Sequence, residues 1–435
     1  MTPLSATLAV GGTRYVPEPD AIARDYLLLA LRLDAHAAGL VDAYVGPALL
    51  KAQVDLEQLR PPARLSEDAR SLRERVTTEV AEPDRRGWLI GQLDALETQA
   101  AVLAGESISY QDQVARYLGF EPIRRDDAVF GAARATLDAL LPGTGTLRER
   151  LAAWDRSVEV PVARLGGAVE GLVDRLRDRS ATVFGLPDGE GVRVSLVSGQ
   201  PWGAYCWFDG GGRSRIDINT DLPARAPSLL ATIAHETYPG HHLEHAWKEQ
   251  TLVAGMGRLE ASIMLINTPE CPMSEGLADL GISVLLDDDE RTAWLADLLA
   301  TAVAGALADP GAARDAAKLA RAIAEPRRIL DAARGNAALH RHADGWSHDS
   351  VVDYLVDVGG APRERAEKML EFIEHPLWRS YVYVYSDGED LLRRWVEIDG
   401  ATERTARFDR LLREQLAPSA ILADLADAQG DRSSD

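Results

Sequence analysis

Apolar residues recur at helical spacing along almost the whole chain, and one short tract, 192–218, breaks that rhythm. In residues 20–38, Ile22, Tyr26, Leu29, Ala30 and Leu33 fall on one stripe of a helix. Similar patterns run over about 66–77, 84–104, 109–117, 130–140, 146–155 and 157–180. They are cut at Gly39, Pro61-Pro62, Pro83-Asp84 and Pro142 to Gly145. Helical period resumes at about 226–237, 239–257, 274–286, 290–307, 311–324, 326–340, 348–358, 363–373, 387–395 and 403–416, followed by a short polar tail expected to fray after about Ala428. Between the two helical tracts, Val192 to Val197, Ala204 to Phe208 and Ser214 to Ile218 alternate with period two, and Asp209-Gly210-Gly211-Gly212-Arg213 reads as a hairpin turn. These patterns predict a mainly α, multi-helix fold with a small antiparallel β-sheet. They suit one integrated bilobed unit: an N-terminal helical lobe over 1–184, a sheet-bearing core over 185–290 and a C-terminal helical lobe over 291–435.

Charge narrows the function. The 435 residues carry 47 Lys+Arg against 68 Asp+Glu, a formal net charge of −21. Such a chain has no general attraction for phosphate backbones or anionic lipid, so nucleic-acid and membrane-surface roles are not expected. Cys206 and Cys271 are the only cysteines and form no C-x-x-C pattern, which argues against a disulfide framework and for a reducing compartment. Residues 1–12 lack the basic and apolar regions of a secretory signal, and no apolar run suits a bilayer, so a cytoplasmic location is expected. No G-x-S-x-G elbow, P-loop or G-x-G-x-x-G turn occurs.

Chemistry concentrates at residues 235–242, His-Glu-Thr-Tyr-Pro-Gly-His-His. Four of nine histidines (His235, His241, His242 and His245) fall within eleven residues, interleaved with Glu236 and Glu244. Imidazoles beside carboxylates are the ligands that zinc selects. His235-Glu236 opens like the H-E-x-x-H helix of zinc peptidases, but Pro239 stands where the second histidine belongs. On a straight helix each residue advances ~100° and ~1.5 Å, which puts His241 on the far side and His242 ~10 Å along the axis. Pro239 removes the N–H that would bond the His235 carbonyl, and Gly240 tolerates unusual backbone angles, so a stretched turn could return His241 to His235.

A third ligand is available in Ser274-Glu275-Gly276-Leu277-Ala278-Asp279. Ser274 reads as a helix N-cap, Gly276 as a point of close backbone approach, and Asp279 shares a face with Glu275 from which it could orient a histidine. His235, His241 and Glu275 would then hold one zinc ion, and Glu236 would take a proton from an activated water and pass it to the leaving amine.

The string His235-Glu236-x-x-Pro239-Gly240-His241-His242, with Glu275-Gly276 and Ala278, resembles the bacterial HExxPGHH family known as domain of unknown function 885. That family is similar in fold to the thermostable zinc carboxypeptidases of the gluzincin group, which implies helices around a deep cleft, a zinc cofactor and a carboxypeptidase-like activity. The likeness extends more loosely to Val41-Asp42-Ala43-Tyr44-x-Gly46-Pro47, to Ile218-Asn219-Thr220 and to Gly345-Trp346-Ser347. Where the family has Glu-Gly-Trp-Ala-x-Tyr, this chain reads Glu275-Gly276-Leu277-Ala278-Asp279-Leu280. The family's C-terminal Pro-Gly-Gln-Ala-x-x-Tyr-x-x-Gly is reduced to Pro376 and Tyr385-Ser386-Asp387-Gly388.

Other readings coexist. His241-His242-Leu243-Glu244-His245 fits an inverted H-x-x-E-H register that would move the ligands to His241 and His245. His242, His245 and Asp279 are thus alternative ligands or supports. Tyr381, Tyr383 and Tyr385 alternate as on one face of an extended segment, with Tyr385 the expected oxyanion donor. Arg379 is expected to hold a substrate carboxylate, and Tyr205 to lie on a strand, Tyr205–Trp207 or Ile216–Asn219, that takes peptide backbone. The expected substrate is a peptide or other small amide. The competing functions are a catalytically silent peptide- and metal-binding protein and a zinc hydrolase of a non-peptide amide or ester.

Overall fold

The computed structural model describes residues 20–398 and 400–432; the N-terminal segment before Asp20, where no secretory signal was expected, lies outside them. Helices account for 68% and strands for 7%, the mainly α class that the periodicity predicts. Among the described residues no helix is long and apolar enough to cross a membrane.

Local signals set most of the helix ends. The Asp20 carboxylate caps helix Ala21–Asp34 by accepting from Ala23 N at 2.7 Å, and Thr146 and Asp287 form reciprocal capping boxes with Glu149 and Glu290. Several elements depart from the expected pattern, among them helix Ala48–Leu56, which no helical period predicted. Helix Pro310–Asp331 runs through Pro326, whose ring is buried, and the chain breaks at Ala332 instead. Packing there outweighs the missing N–H. Helix Glu270–Leu285 starts four residues before Ser274, with Pro272 accommodated in its first turn, so Ser274 is not an N-cap. Helix Val382–Val396 begins five residues earlier than expected and turns the alternating tyrosines into a helical i, i+4 pair, Tyr381 and Tyr385, with Tyr383 on another face. Helix Pro418–Arg432, which no helical period predicted, buries Ile421 and Leu425 and runs four residues past Ala428, where fraying was expected to begin; the rest of that tail lies outside the described residues.

Two small sheets hold the centre. β1 (Val41–Tyr44) pairs antiparallel with β5 (Ile263–Leu265), tying the N-terminal helices to the segment that follows the histidines. β2 (Gly191–Val197), β3 (Ala204–Phe208) and β4 (Arg213–Asn219) form a second sheet in the order β2-β4-β3. The β3–β4 hairpin is antiparallel as expected, whereas β2 lies parallel to β4. Period two says nothing about direction. The 198–203 loop is long enough to carry the chain past one strand position, and the tight Asp209–Arg213 turn then inserts β4 between its neighbours. Central β4 is paired on both sides, so Ile216–Asn219 cannot take a further strand, while β3 has a strand partner on one side only among the described residues.

The 184/185 and 290/291 boundaries pass through a single apolar cluster. It joins Leu165–Phe184, Ile216–Trp247, Met273–Ala320 and Leu391–Leu425, so the three segments share one core. Within it, helix Glu270–Leu285 meets helix Val382–Val396 at two glycines. A Cβ on Gly276 would lie 2.8 Å from the Gly388 carbonyl, and one on Gly388 would lie 2.6 Å from Pro272 O. Gly276 is thus the point of close backbone approach that the sequence suggested, and it brings Tyr381 over the neighbouring Glu275.

Candidate metal centre

The turn comes first. Helix Ala226–Glu236 ends at Glu236, and helix His241–Lys248 starts at His241, so the chain is broken where Pro239 predicted. Thr237 (φ −119, ψ −92) and Gly240 (φ −84, ψ −140) leave the helical region, and the Tyr238–Pro239 peptide is cis. Two wide hydrogen bonds span the turn, Gly240 N to Ala234 O at 3.1 Å and Leu243 N to Thr237 O at 3.2 Å. Pro239 packs on helix Glu270–Leu285 at Gly281, where a Cβ would lie 2.9 Å from the proline ring. The result is that His235 and His241, six residues apart, meet edge to face with ring centroids at 4.6 Å.

Glu275 completes the set. Its Oε2 lies 3.2 Å from Nε2 of His235 and 3.7 Å from Nε2 of His241. The ligand atoms of a tetrahedral zinc site lie about 3.3 Å apart, given Zn–N bonds of ~2.0–2.1 Å. Ligand atoms of His235, His241 and Glu275 all fall within 4.8 Å of one another. Glu275 Oε2 is buried yet has no hydrogen-bond partner. A buried carboxylate oxygen is costly to leave unsatisfied, and here it faces two imidazole nitrogens. The donor set fits a divalent cation.

Each ligand is fixed from behind. Asp279 Oδ1 lies 2.8 Å from Nδ1 of His235, the support expected of it. Ser274 Oγ lies 3.2 Å from Nδ1 of His241 and donates to Glu244 Oε2 at 2.5 Å, so it accepts from the imidazole. Both rings therefore keep their hydrogen on Nδ1, and Nε2 is the nitrogen that faces inward and would take a cation once its own proton is displaced. Tyr381, rather than Tyr385, donates to Glu275 Oε1 at 2.8 Å. Lys248, at i+4 from Glu244, sits 2.7 Å from Glu244 Oε1 and 3.2 Å from Glu270.

That ammonium distinguishes the surroundings of the two registers. His241, Glu244 and His245 also form a cluster with converging ligand atoms. There, however, both carboxylate oxygens are already engaged, one by the buried Lys248 charge, which would repel a cation beside it. The His245 ring lies parallel to that of His241 at 5.8 Å and contacts Phe208 at 5.4 Å, outside the His235–His241–Glu275 set. His242 is no ligand at all: it is fully buried, with Nδ1 at 2.8 Å from Ser214 Oγ and Nε2 at 3.0 Å from Glu190 Oε2.

Electrostatics follow from this packing. Burial opposes charge on His235, but the Asp279 and Glu275 carboxylates overcome it and raise its pKa well above the ordinary histidine value. Burial and His235 oppose charge on His241, and the Glu244 and Glu275 carboxylates push it up to about 9. Burial drives His245 down to about 3, with Glu244 opposing. A cation must displace protons from His235 and His241, so its affinity should fall as pH falls below about 9, by up to tenfold per unit for each proton displaced. Titration in buffers of different ionisation enthalpy counts those protons. At neutral pH the His235–His241 site should release about two protons and a His241–His245 site about one, because His245 is already neutral there.

The histidine site opens on a cavity of about 700 Å³ lined by His235, Glu236, Asp279, Tyr385, the Gly203–Ala204 start of β3, Ile218, Asn219, Arg225 and Arg365. Burial raises the Glu236 carboxyl above its ordinary value, partly offset by the two histidines. Two expected substrate contacts are otherwise engaged. The Arg379 guanidinium donates to Gln113 on helix Tyr110–Leu118, while Arg225 and Arg365 reach the cavity. Tyr205 donates to Asp42 of β1 and packs against Trp207 and Trp202, with centroids at 4.5 and 5.7 Å. Three histidines near Trp346 have partners of their own: His340 stacks on Trp346 at 3.7 Å, His342 Nε2 lies 2.8 Å from the Ile373 carbonyl, and His348 pairs with Glu367 at 2.9 Å.

Sequence reading missed the Ser274–Glu244–Lys248 support of His241, although the Glu244–Lys248 spacing is the i, i+4 pattern of a helical ion pair. Glu190 gave no signal, since only the fold brings it to His242.

No family model matches the chain, and no curated protein does. Among solved structures it is similar to a "putative lipoprotein" of Colwellia psychrerythraea, with 18% identity and a TM-score of 0.50 over 83% of this chain and 66% of that one. A second, a "putative lipoprotein of unknown function" from Shewanella oneidensis, shares 13% identity over 92% of this chain and 77% of that one, with a TM-score of 0.46. The chain thus spans less than two thirds of the length of the Colwellia protein, and that likeness concerns the fold alone.

Proposed function

We propose that the chain is a metal-dependent hydrolase, a gluzincin-like zinc peptidase acting on peptides or small amides that enter the cavity beside Glu236. The observation that carries this reading is the convergence of His235 Nε2, His241 Nε2 and the buried Glu275 Oε2 next to a buried glutamate. Zinc held by these three residues would act as a Lewis acid, lowering the pKa of water and polarising a carbonyl. Glu236, whose carboxyl burial raises above its ordinary value, takes the proton of the attacking water and returns it to the leaving amine. Tyr385, on the cavity wall, donates to the oxygen on which charge develops. Tyr381 holds Glu275, and the outer edge of β3 offers backbone groups to an extended substrate. Arg225 and Arg365 also line the cavity, each paired with an aspartate, Asp155 at 3.4 Å and Asp331 at 3.7 Å.

The test pairs metal content with turnover. Zinc-loaded protein should bind one ion per chain and hydrolyse members of a mixed peptide library read by mass spectrometry, and chelation should abolish cleavage. A zinc-loaded chain that cleaves no peptide, amide or ester would sink the enzyme reading in favour of a silent metal-binding protein. The two thiols, Cys206 and Cys271, are free, which favours a reducing, cytoplasmic setting that cell fractionation tests.

A further inference from the structure

Beneath the turn that joins the two histidines lies a buried polar network that the reaction above does not use. Glu190, just before β2, accepts from the Tyr238 hydroxyl and from Nε2 of His242 at 3.0 Å through the same oxygen. Arg177 approaches its other oxygen with Nε at 2.8 Å and Nη2 at 2.6 Å. The Ser214 hydroxyl on β4 reaches Nδ1 of His242 at 2.8 Å, and the Tyr238 ring meets His242 edge-on at 4.9 Å. Ser214, His242 and Glu190 have the order of a nucleophile–base–acid relay, but Ser214 and His242 are 3% and 0% exposed. No substrate reaches that serine.

What the network does touch is the turn. Tyr238 is inside it and His242 directly follows His241, so Glu190 holds both the turn and the start of the helix that leaves it. Ser214 and the strand that follows Glu190 belong to the three-stranded sheet, which gives the grip a rigid base. Without that tie, the segment would be free to relax toward regular helix, in which residue i+6 points about 240° away from residue i. His241 would then leave His235.

We propose that Glu190, together with Tyr238 and His242, is a positioning group for the cation site, tying the Thr237–Gly240 turn to the sheet and so fixing how His241 faces His235. This rests on the reading of His235, His241 and Glu275 as that site. Buried polar groups that orient a ligand typically change metal affinity by 10–100-fold when removed.

Cobalt(II) is the probe, because it takes the same ligands and its visible absorption reports coordination geometry. The full chain is titrated with Co²⁺ as wild type, Tyr238→Phe, Glu190→Gln and Val76→Ala. Val76 lies in a separate apolar cluster and supplies a matched loss of thermal stability. Tyr238→Phe keeps the ring and its packing, so it remains informative if Glu190→Gln fails to fold. The expected result is at least a tenfold loss of Co²⁺ affinity and a changed visible band in Tyr238→Phe and Glu190→Gln, with neither in Val76→Ala. Wild-type affinity and spectrum in both network variants would overturn the positioning role and leave the cation site standing. A wild-type chain that binds no Co²⁺ would overturn the site, and this proposal with it.

Discussion

Replacing Glu236 with Gln should lower turnover by roughly 10²–10⁴-fold, the usual worth of a positioned general base, while the protein still binds one metal ion. Glutamine keeps the shape and hydrogen-bonding reach of the side chain but cannot accept the proton. Glu236 is none of the three converging ligands, so metal stoichiometry by atomic spectroscopy should be unchanged. Glu244→Gln makes the opposing case. Glu244 faces Lys248 and Ser274, and its pKa is held far below the usual carboxylate range: burial opposes this, but Lys248 and the neighbouring histidines dominate. Neutralising it leaves a buried ammonium with one carboxylate fewer, so the principal effect should be a loss of stability of about 3–5 kcal/mol. If Glu244→Gln, rather than Glu236→Gln, removed turnover with metal still bound and the fold intact, the site would belong to the H-x-x-E-H register.

Gly240→Ala should be the most damaging single-methyl change near the site. The new Cβ would sit 1.8 Å from the His235 carbonyl oxygen and 2.7 Å from that of Ala234. Both are backbone atoms, so relief requires opening the turn itself. Overpacking of ordinary sites costs about 1–3 kcal/mol, and this contact is closer than any side-chain adjustment can relieve. We expect more than about 3 kcal/mol of lost stability, together with loss of cation binding. Gly167→Ala is the control. Gly167 lies inside helix Val162–Phe184 with nothing within 4 Å of the added Cβ, so alanine should stabilise the chain by about 0.5–1 kcal/mol. Thermal denaturation of the two variants should therefore shift in opposite directions. A Gly240→Ala protein with wild-type melting and metal binding would refute the assigned turn.

Several parts of this outcome were legible in residue order. The break between His235 and His241 follows from Pro239, because a proline cannot complete the helical bond to the carbonyl four residues back. Asp279 lies one turn from Glu275, so its place behind the site followed once Glu275 was a candidate. The tyrosine segment misled for a physical reason. Tyr381-Val382-Tyr383-Val384-Tyr385 has the composition of a strand, but such preferences are weak and tertiary packing overrides them. The close approach of two helices at Gly276 and Gly388 provides that packing. It also explains why Tyr381 instead of Tyr385 reaches Glu275. Arg379 was similarly ambiguous, since a chain position cannot say whether a guanidinium faces a cavity or, as here, a glutamine on another helix.

By itself, then, the sequence determined the helical class, the positions of most breaks, the candidate ligands and the need for a distorted turn between them. These are local properties, set by apolar period, proline geometry and side-chain chemistry over a few residues. Tertiary structure alone decided which histidine faces which partner. Pro239 seats on Gly281, Glu190 captures Tyr238 and His242, Ser214 bonds His242, and the Lys248 ammonium pairs with Glu244. Each of those contacts joins residues distant in sequence or on different elements, or gains its force from burial, and no periodicity within a segment encodes it.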